Sequence, residues 1–520
     1  MLSAKYNEWD GFRAAMIAVP GMLRELLIFL SLFSLPVFAV DHYVTPPGGY
    51  GTNNPPYTNW ADAATNIQWA VNAATNGETI WVTNGIYALT NQIVITNRMT
   101  LRSMNGYSNT VVFGNGLNRC FYLNGNYATV IGLSITNGLA ASNDYWGRGA
   151  GIYASGVGCT VSNCLITGNS SYSTNRGEGG GGMYIQSGTA IVSIVRGNFS
   201  RTEGGGMLVQ KGLFTNCIIE SNIASNRGGG IYGSDITCFG CRIVSNKAYV
   251  VPDTYQGGGG VICVGGVSMF SNCVFSGNWT AYGGGGIYFP QTWGMVVDCV
   301  FSNNRAAAGG GLCLYASSSA SATSVNCNII GNHSDSDGGG VYIYDGGYVY
   351  NCVIKNNDAG RNGGGIRFEN IQRRGGYVSC CTIASNYAGS YGGAVLFYTT
   401  NCNDSIYNCI IWSNNSPSAS FREIYDVVTP TNLNAFWNTC ANYTNFPPGQ
   451  GNVTNDPLFV DYTGGNYRLN ANSPCLNAGT NQTWMTNAFD IDGRQRIRYG
   501  IVDMGAYEAI YDGTIYRMGF

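Results

Sequence analysis

Two short motifs return every 24–31 residues through the middle of this 520-residue chain. One is a glycine cluster closed by an apolar residue, as in Gly180-Gly181-Gly182-Met183 and Gly228-Gly229-Gly230-Ile231, continuing to Val395. The other is Asn-Cys-x-Ile/Phe-x-x-Asn, as in Asn216-Cys217-Ile218-Ile219-Glu220-Ser221-Asn222. Its cysteine recurs from Cys164 to Cys409, with Ser193 in the one gap, and an Asn follows five residues later in all ten copies, Asn169 to Asn414. A repeat of this length, with strand-sized apolar pieces and no helical period, is one coil of a parallel β-helix. Strand alternation then turns Cys217 and Ile219 inward together, and Ile231 inward with Tyr232 outward. The glycines serve corners, and the recurring Asn is expected to stack as an amide ladder at another corner.

Composition removes the competing classes. Charged residues are 10% of the chain, against a usual ~25%, so long helices with solvated charged faces are not expected. Aromatic residues at 13% argue against disorder. A net charge of −2 leaves no electrostatic footprint for nucleic acid. Leu26 to Phe33 is an apolar run behind Arg24, and Val37-Phe38-Ala39 has the small-residue pattern of a cleavage site. Residues 1–39 therefore read as a signal peptide, starting at Met1, Met16 or Met22. Beyond it we expect an amino-terminal cap and first coil at 40–106, β-helix repeats at 107–415 and a carboxyl-terminal module at 416–520. Within the first of these, Ile67, Ala70, Val71 and Ala74 form a helical stripe, so 61–75 is a short amphipathic helix, and Thr79-Ile80-Trp81-Val82 is a strand. The open ends of a β-helix need covering, and the irregular module after Asp456 is expected to cap the far end.

Gly392-Gly393-Ala394-Val395, Phe275-Ser276-Gly277-Asn278 and Phe301-Ser302-Asn303-Asn304 resemble the repeats of the chlamydial polymorphic outer membrane proteins. The resemblance covers roughly 145–415 and implies a right-handed, pectin-lyase-like β-helix of about twelve coils, displayed at the cell surface. Asp456-Pro457-Leu458-Phe459 through Val502-Asp503-Met504-Gly505 resembles a module of bacterial secreted or anchored β-helix proteins. None of the Asn-Thr-Asp, Asp-Asp, Gly-His-Gly and Arg-Ile-Lys signatures of polygalacturonases is present.

Eighteen cysteines in an exported chain usually form disulfides. Nine of these share one inward position, where parallel Cβ vectors suit core thiols better than bridges; Cys440 and Cys475, outside the repeats, are the best disulfide pair. Chemistry is concentrated on one edge of the coils. Arg305, then His333, Asp335 and Asp337, then Asp358 and Arg361 fall on three successive coils. They form either an acid–base site on a sugar, with Arg or Ca²⁺ holding a uronate, or an inter-coil salt-bridge network. Insertions at 139–148, 170–178 and 249–256, carrying Tyr145, Trp146, Tyr172, Tyr249 and Tyr255, could wall a groove. The outward position after the glycines is expected to present Tyr153, Tyr184, Tyr232, Tyr288 and Tyr342 as an exposed row, interrupted by Leu208, Ile262 and Cys313. Such a row suits sugar rings; β-propensity and stacking explain it equally. Asp490 and Asp492 start like a calcium loop but have no Glu at the twelfth position, and Ca²⁺ is the only cofactor the sequence raises.

The functional expectation is a monomeric, envelope-associated or secreted protein that binds a polysaccharide or surface glycan and is adhesive rather than catalytic. A polysaccharide lyase or glycoside hydrolase is the first alternative, and a ligand-free structural surface protein the second.

Overall fold

The computed structural model describes residues 40–509 except 142–146, 250–256, 318, 372–373, 399–402, 419–421, 427–434 and 444–449. The signal-peptide reading, Tyr145, Trp146 and Tyr255 lie outside the described residues.

The chain is a right-handed parallel β-helix. One coil shows the plan: Gly212–Thr215, Ile218–Glu220, the two-residue Ile223–Ala224 and Ile231–Gly233. Each segment pairs in parallel with its equivalents one coil below and above, which makes sheets of 15, 14, 10 and 13 strands in that order. They are called sheets 1 to 4 below. Registers follow the repeats: Ile194, Ile218 and Arg242 align in sheet 2, and Met207, Ile231 and Val261 in sheet 4. Inward residues form one continuous core in which like stacks on like. Phe275 lies on Phe301 at 4.6 Å and Phe368 on Phe397 at 4.9 Å, the rings of both pairs nearly parallel.

The two asparagines of the second motif do different jobs. The first sits at the corner between sheets 1 and 2 with positive φ, as at Asn216 (52°) and Asn408 (52°), a conformation Asn tolerates well. The second turns inward and builds the expected ladder. Asn278 Oδ1 accepts Asn246 N–H and Nδ2–H, both at 3.0 Å, while its own Nδ2 donates to Ile243 O (2.8 Å) and Asn304 Oδ1 (2.9 Å). The pattern runs from Gly138, whose N–H donates to Asn169 Oδ1, up to Asn414. There the Glu423 carboxylate takes the place of the next amide, accepting from Asn414 N (3.2 Å) and Nδ2 (2.8 Å). Burial pushes that carboxyl up to about 7.

Glycine is obligatory where the backbones of successive coils meet. A Cβ on Gly229 would lie 2.5 Å from Gly259 O, and Gly228 has φ +64°.

The cysteine column is buried, and every described cysteine is a free thiol. Its sulfurs are more than small hydrophobes. Cys299 Sγ accepts Cys273 N–H at 3.3 Å, and Cys352, Cys381 and Cys409 do the same for the coil below. Ser193 fills this role for Cys164 N–H at 3.2 Å, which explains why Ser is accepted in the gap. Cys440 and Cys475 are unbridged thiols buried in one small cluster, not a disulfide.

At the amino end, the helix is Ile67–Ala73, shorter than the expected 61–75. Asn66 caps it by accepting the Gln68 N–H, and Ile67, Ala70 and Val71 are buried. The strand Thr79–Val82 forms as read and pairs with Asp41–Val44. His42, between Pro56 O and Glu78, pins this cap.

The carboxyl-terminal module packs along the flank of the last coils. Its contacts follow the sheet 1–sheet 2 corner: Arg496 Nη1 donates to Asn351 Oδ1, Gln482 meets Tyr377 and Ser379, and Thr480 and Asn408 exchange two hydrogen bonds. Among the described residues, no helix is long and apolar enough to cross a membrane.

Candidate functional site

The tyrosines after the glycine clusters occupy one outward column of sheet 4, as their spacing requires. Tyr153 aligns with Tyr184, Tyr232 with Ile262, Ile262 with Tyr288, and Cys313 with Tyr342. They are not an exposed row. Tyr153, Tyr184 and Tyr288 are 5%, 1% and 5% exposed, and Tyr232 and Tyr342 are half-buried. Two causes bury them. The side chains pack on their column neighbours in outer apolar clusters. Arginines also lie over them: Arg119 over Tyr153 (5.0 Å), Arg148 over Tyr184 (5.1 Å), Arg227 over Tyr232 (5.1 Å) and Arg367 over Tyr342 (5.4 Å).

Of these five tyrosines, Tyr288 is the one with no guanidinium above it among the described residues. The next coil places Cys313 where a ring would otherwise stand, and Ala307 and Ala308 face it from the edge. These small side chains leave a cavity of about 400 Å³, with Tyr282, Tyr288, Tyr315, Tyr342 and Tyr344 around it. Its volume is within the ~300–1,000 Å³ range of small-ligand sites. Tyr315 meets Tyr344 at 4.5 Å. Tyr342 donates its hydroxyl to Glu369. The Tyr288 hydroxyl has no hydrogen-bond partner among the described residues, and burial raises its pKa, so it stays a neutral donor and acceptor.

Beside the cavity lies the charged edge, and stacking does bring its residues together. It divides into two parts. The outer part is solvated: Arg305 Nη2 lies 2.6 Å from Asp335 Oδ1, and His333 bridges Asp358 Oδ2 (Nδ1, 2.7 Å) and Asp335 Oδ1 (Nε2, 3.2 Å). Both imidazole nitrogens already face carboxylates. The inner part centres on a buried carboxylate: Asp337 is paired with the exposed Arg361 at 2.9 Å and with the buried Arg367, and accepts Asn362 Nδ2 at 2.9 Å. Arg367 also holds Glu369 at 2.6 Å. The oxygens of Asp337 are thus occupied by Arg361, Arg367, Asn362 and Ser336 rather than turned toward a ligand. Ser336, at the cavity wall, donates to Asp337 Oδ2 at 2.7 Å.

Sequence reasoning did not identify Tyr315, Tyr344, Arg367 and Glu369. The register carried a signal: Arg367 stands one coil above Tyr342, and Glu369 one above Tyr344.

Asp490 and Asp492 do not form a calcium loop. Asp490 accepts the backbone N–H groups of Asp492, Arg494 and Glu508. Asp492 is held by Arg468 at 2.6 Å through both oxygens and by Arg494 at 2.9 Å. Peptide N–H groups and guanidinium cations thus occupy the oxygens a cation would need. Among the described residues, no group of three or more His, Cys, Asp or Glu could hold a metal ion.

A family model described as a right handed beta helix region matches residues 198–350. No curated protein matches the chain. Solved structures with a similar course include pectate lyase Pel9A, at 16% identity over 90% of this chain and 96% of that one, TM-score 0.33. XylC in complex with xylose matches at 10% identity over 80% and 86%, TM-score 0.38. The catalytic unit of a GH87 α-1,3-glucanase from Streptomyces thermodiastaticus strain HF3-3 matches at 12% over 76% and 71%, TM-score 0.34. Likeness at this level carries no inference about what this chain binds.

Proposed function

We propose that this protein is an exported β-helix, secreted or held at the cell envelope, that binds a glycan in the tyrosine cavity and does not cleave it. The observation that carries this is Tyr288: a buried phenol with an unpartnered hydroxyl, facing a cavity walled by aromatic rings. Sugar rings offer apolar faces to aromatic side chains and hydroxyls to a phenol. The lyase or hydrolase alternative is disfavoured by the same geometry, since His333 has both nitrogens engaged and Asp337 is clamped by Arg361 and Arg367. The resemblance of the repeats to chlamydial surface proteins, and of the carboxyl-terminal module to anchored β-helix proteins, supports an envelope location.

The test pairs a glycan array with an assay for unsaturated uronate ends by ultraviolet absorbance. The expected result is a defined set of bound glycans, lost in Tyr288→Ala, with a flat absorbance trace. A rising trace abolished by His333→Ala or Asp337→Ala would replace this reading with a lyase. An empty array would favour a ligand-free structural protein.

A further inference from the structure

The insertion at 170–178 and the two coils above it enclose a second, polar cleft of about 200 Å³, lined by Thr174, Arg176, Arg201, Thr202 and Asn226. Most described arginines are paired with a carboxylate or lie over an aromatic ring. Arg176 and Arg201 are exceptions: both are exposed, and neither side chain makes a hydrogen bond or ion pair among the described residues. The carboxylates nearby are already engaged. Glu203 is paired with Arg227 at 2.7 Å and accepts the Gly177 N–H at 3.0 Å. Glu178 accepts from Ser173 (2.9 Å) and Asn175 (3.3 Å). Two uncompensated guanidiniums on one cleft repel each other unless an anion enters, and their planar forks match a carboxylate or a sulfate.

The cleft lies on the same edge as the tyrosine cavity. Ser200, Ala224, Ala248 and Thr280 are in register in sheet 3, so the coil of Arg201 lies three coils below that of Tyr282, roughly 14 Å at the strand spacing. Between them Lys247 is exposed, and Tyr249 and Trp279 sit 5.3 Å apart. We propose that Arg176 and Arg201 form an oxyanion subsite, which takes the sulfate or carboxylate of an acidic saccharide whose rings continue over Tyr249 and Trp279 toward Tyr288. This rests on the tyrosine cavity being a sugar site, and it names the ligand as anionic.

The test is calorimetric binding of dextran sulfate, polygalacturonate and neutral dextran oligosaccharides, at low and at high salt. The proteins are the wild-type chain, the Arg176→Ala/Arg201→Ala double variant and Tyr288→Ala. At least one acidic probe should bind tenfold or more tightly than dextran at low salt, and the two acidic probes tell sulfate from carboxylate. The preference should vanish in the double variant and fade with salt, while Tyr288→Ala weakens neutral and acidic probes alike. An acidic preference unchanged in the double variant overturns the subsite and leaves the cavity standing. If no saccharide binds, the cavity reading fails, and a thermal-shift titration with inorganic sulfate alone then reads the cleft. A shift lost in the double variant supports the subsite, and no shift overturns it.

Discussion

Replacing Asn278 by Ala removes one rung of the ladder and four side-chain hydrogen bonds. The buried N–H of Asn246 loses its acceptor outright, which costs roughly 2 kcal/mol. The other three bonds contribute about 1 kcal/mol each, and about 1 kcal/mol returns as side-chain entropy. The expected loss is therefore about 4 kcal/mol, concentrated on the coils of Asn246, Asn278 and Asn304, because each repeat touches only its neighbours. Native-state hydrogen exchange read by mass spectrometry over residues 243–250 and 275–282 checks this. About 4 kcal/mol corresponds to roughly a thousandfold faster opening-limited exchange. Lys247→Ala, at an exposed residue beside Asn246, is the control and should change protection by less than about 0.5 kcal/mol. Protection of Asn246 in Asn278→Ala within 1 kcal/mol of wild type would refute the view that the ladder satisfies backbone at the corner.

Other outcomes follow from the same geometry. Glu423 has a folded pKa of about 7, above its ordinary 4.5, so its stabilising contribution is complete below pH 4.5 and is lost as pH rises through 7. The shift corresponds to roughly 3 kcal/mol at most. Denaturation at pH 5 to 8 should show the last coils weakening as pH rises, and Glu423→Gln should flatten that slope. The column thiols should resist a disulfide reagent in the native chain and react on unfolding, since all of them are buried out of a reagent's reach; fast native labelling would contradict the packing. Cys217→Ser should be tolerated better than Cys217→Val, because Ser193 already fills one rung, as thermal melts would show. Asp337→Ala should destabilise by about 2–3 kcal/mol, because the buried guanidinium of Arg367 is left with Glu369 alone, whereas solvated Asp335→Ala should cost under about 1 kcal/mol; equal effects in chemical denaturation would argue against a buried pair.

The repeat spacing carried the architecture, because in a parallel β-helix a residue stacks on its equivalents through backbone hydrogen bonds. Register is then simple counting. The inward cysteines, the amide ladder, the outward tyrosine column and the meeting of Arg305, His333 and Asp358 could all be read that way. Tertiary structure decided whatever lies outside that rule. Whether the tyrosines are open to solvent depends on which arginines fold over them: Arg119, Arg148 and Arg227 come from segments whose lengths vary from coil to coil, and only Arg367 stands in the column itself, one coil above Tyr342. The cavity exists because Cys313 and Ala307 are small beside Tyr288 and Tyr342, a match between two faces that no single motif encodes. Asp490 and Asp492 resembled a calcium loop locally, but Arg468, twenty-four residues away, takes the carboxylate of Asp492. The carboxyl-terminal module has no repeat, so nothing in its sequence told that it would pack along the corner asparagines of the flank. Position along the helix axis was legible in the sequence; what covers the outer surface was decided by packing between segments of unequal length.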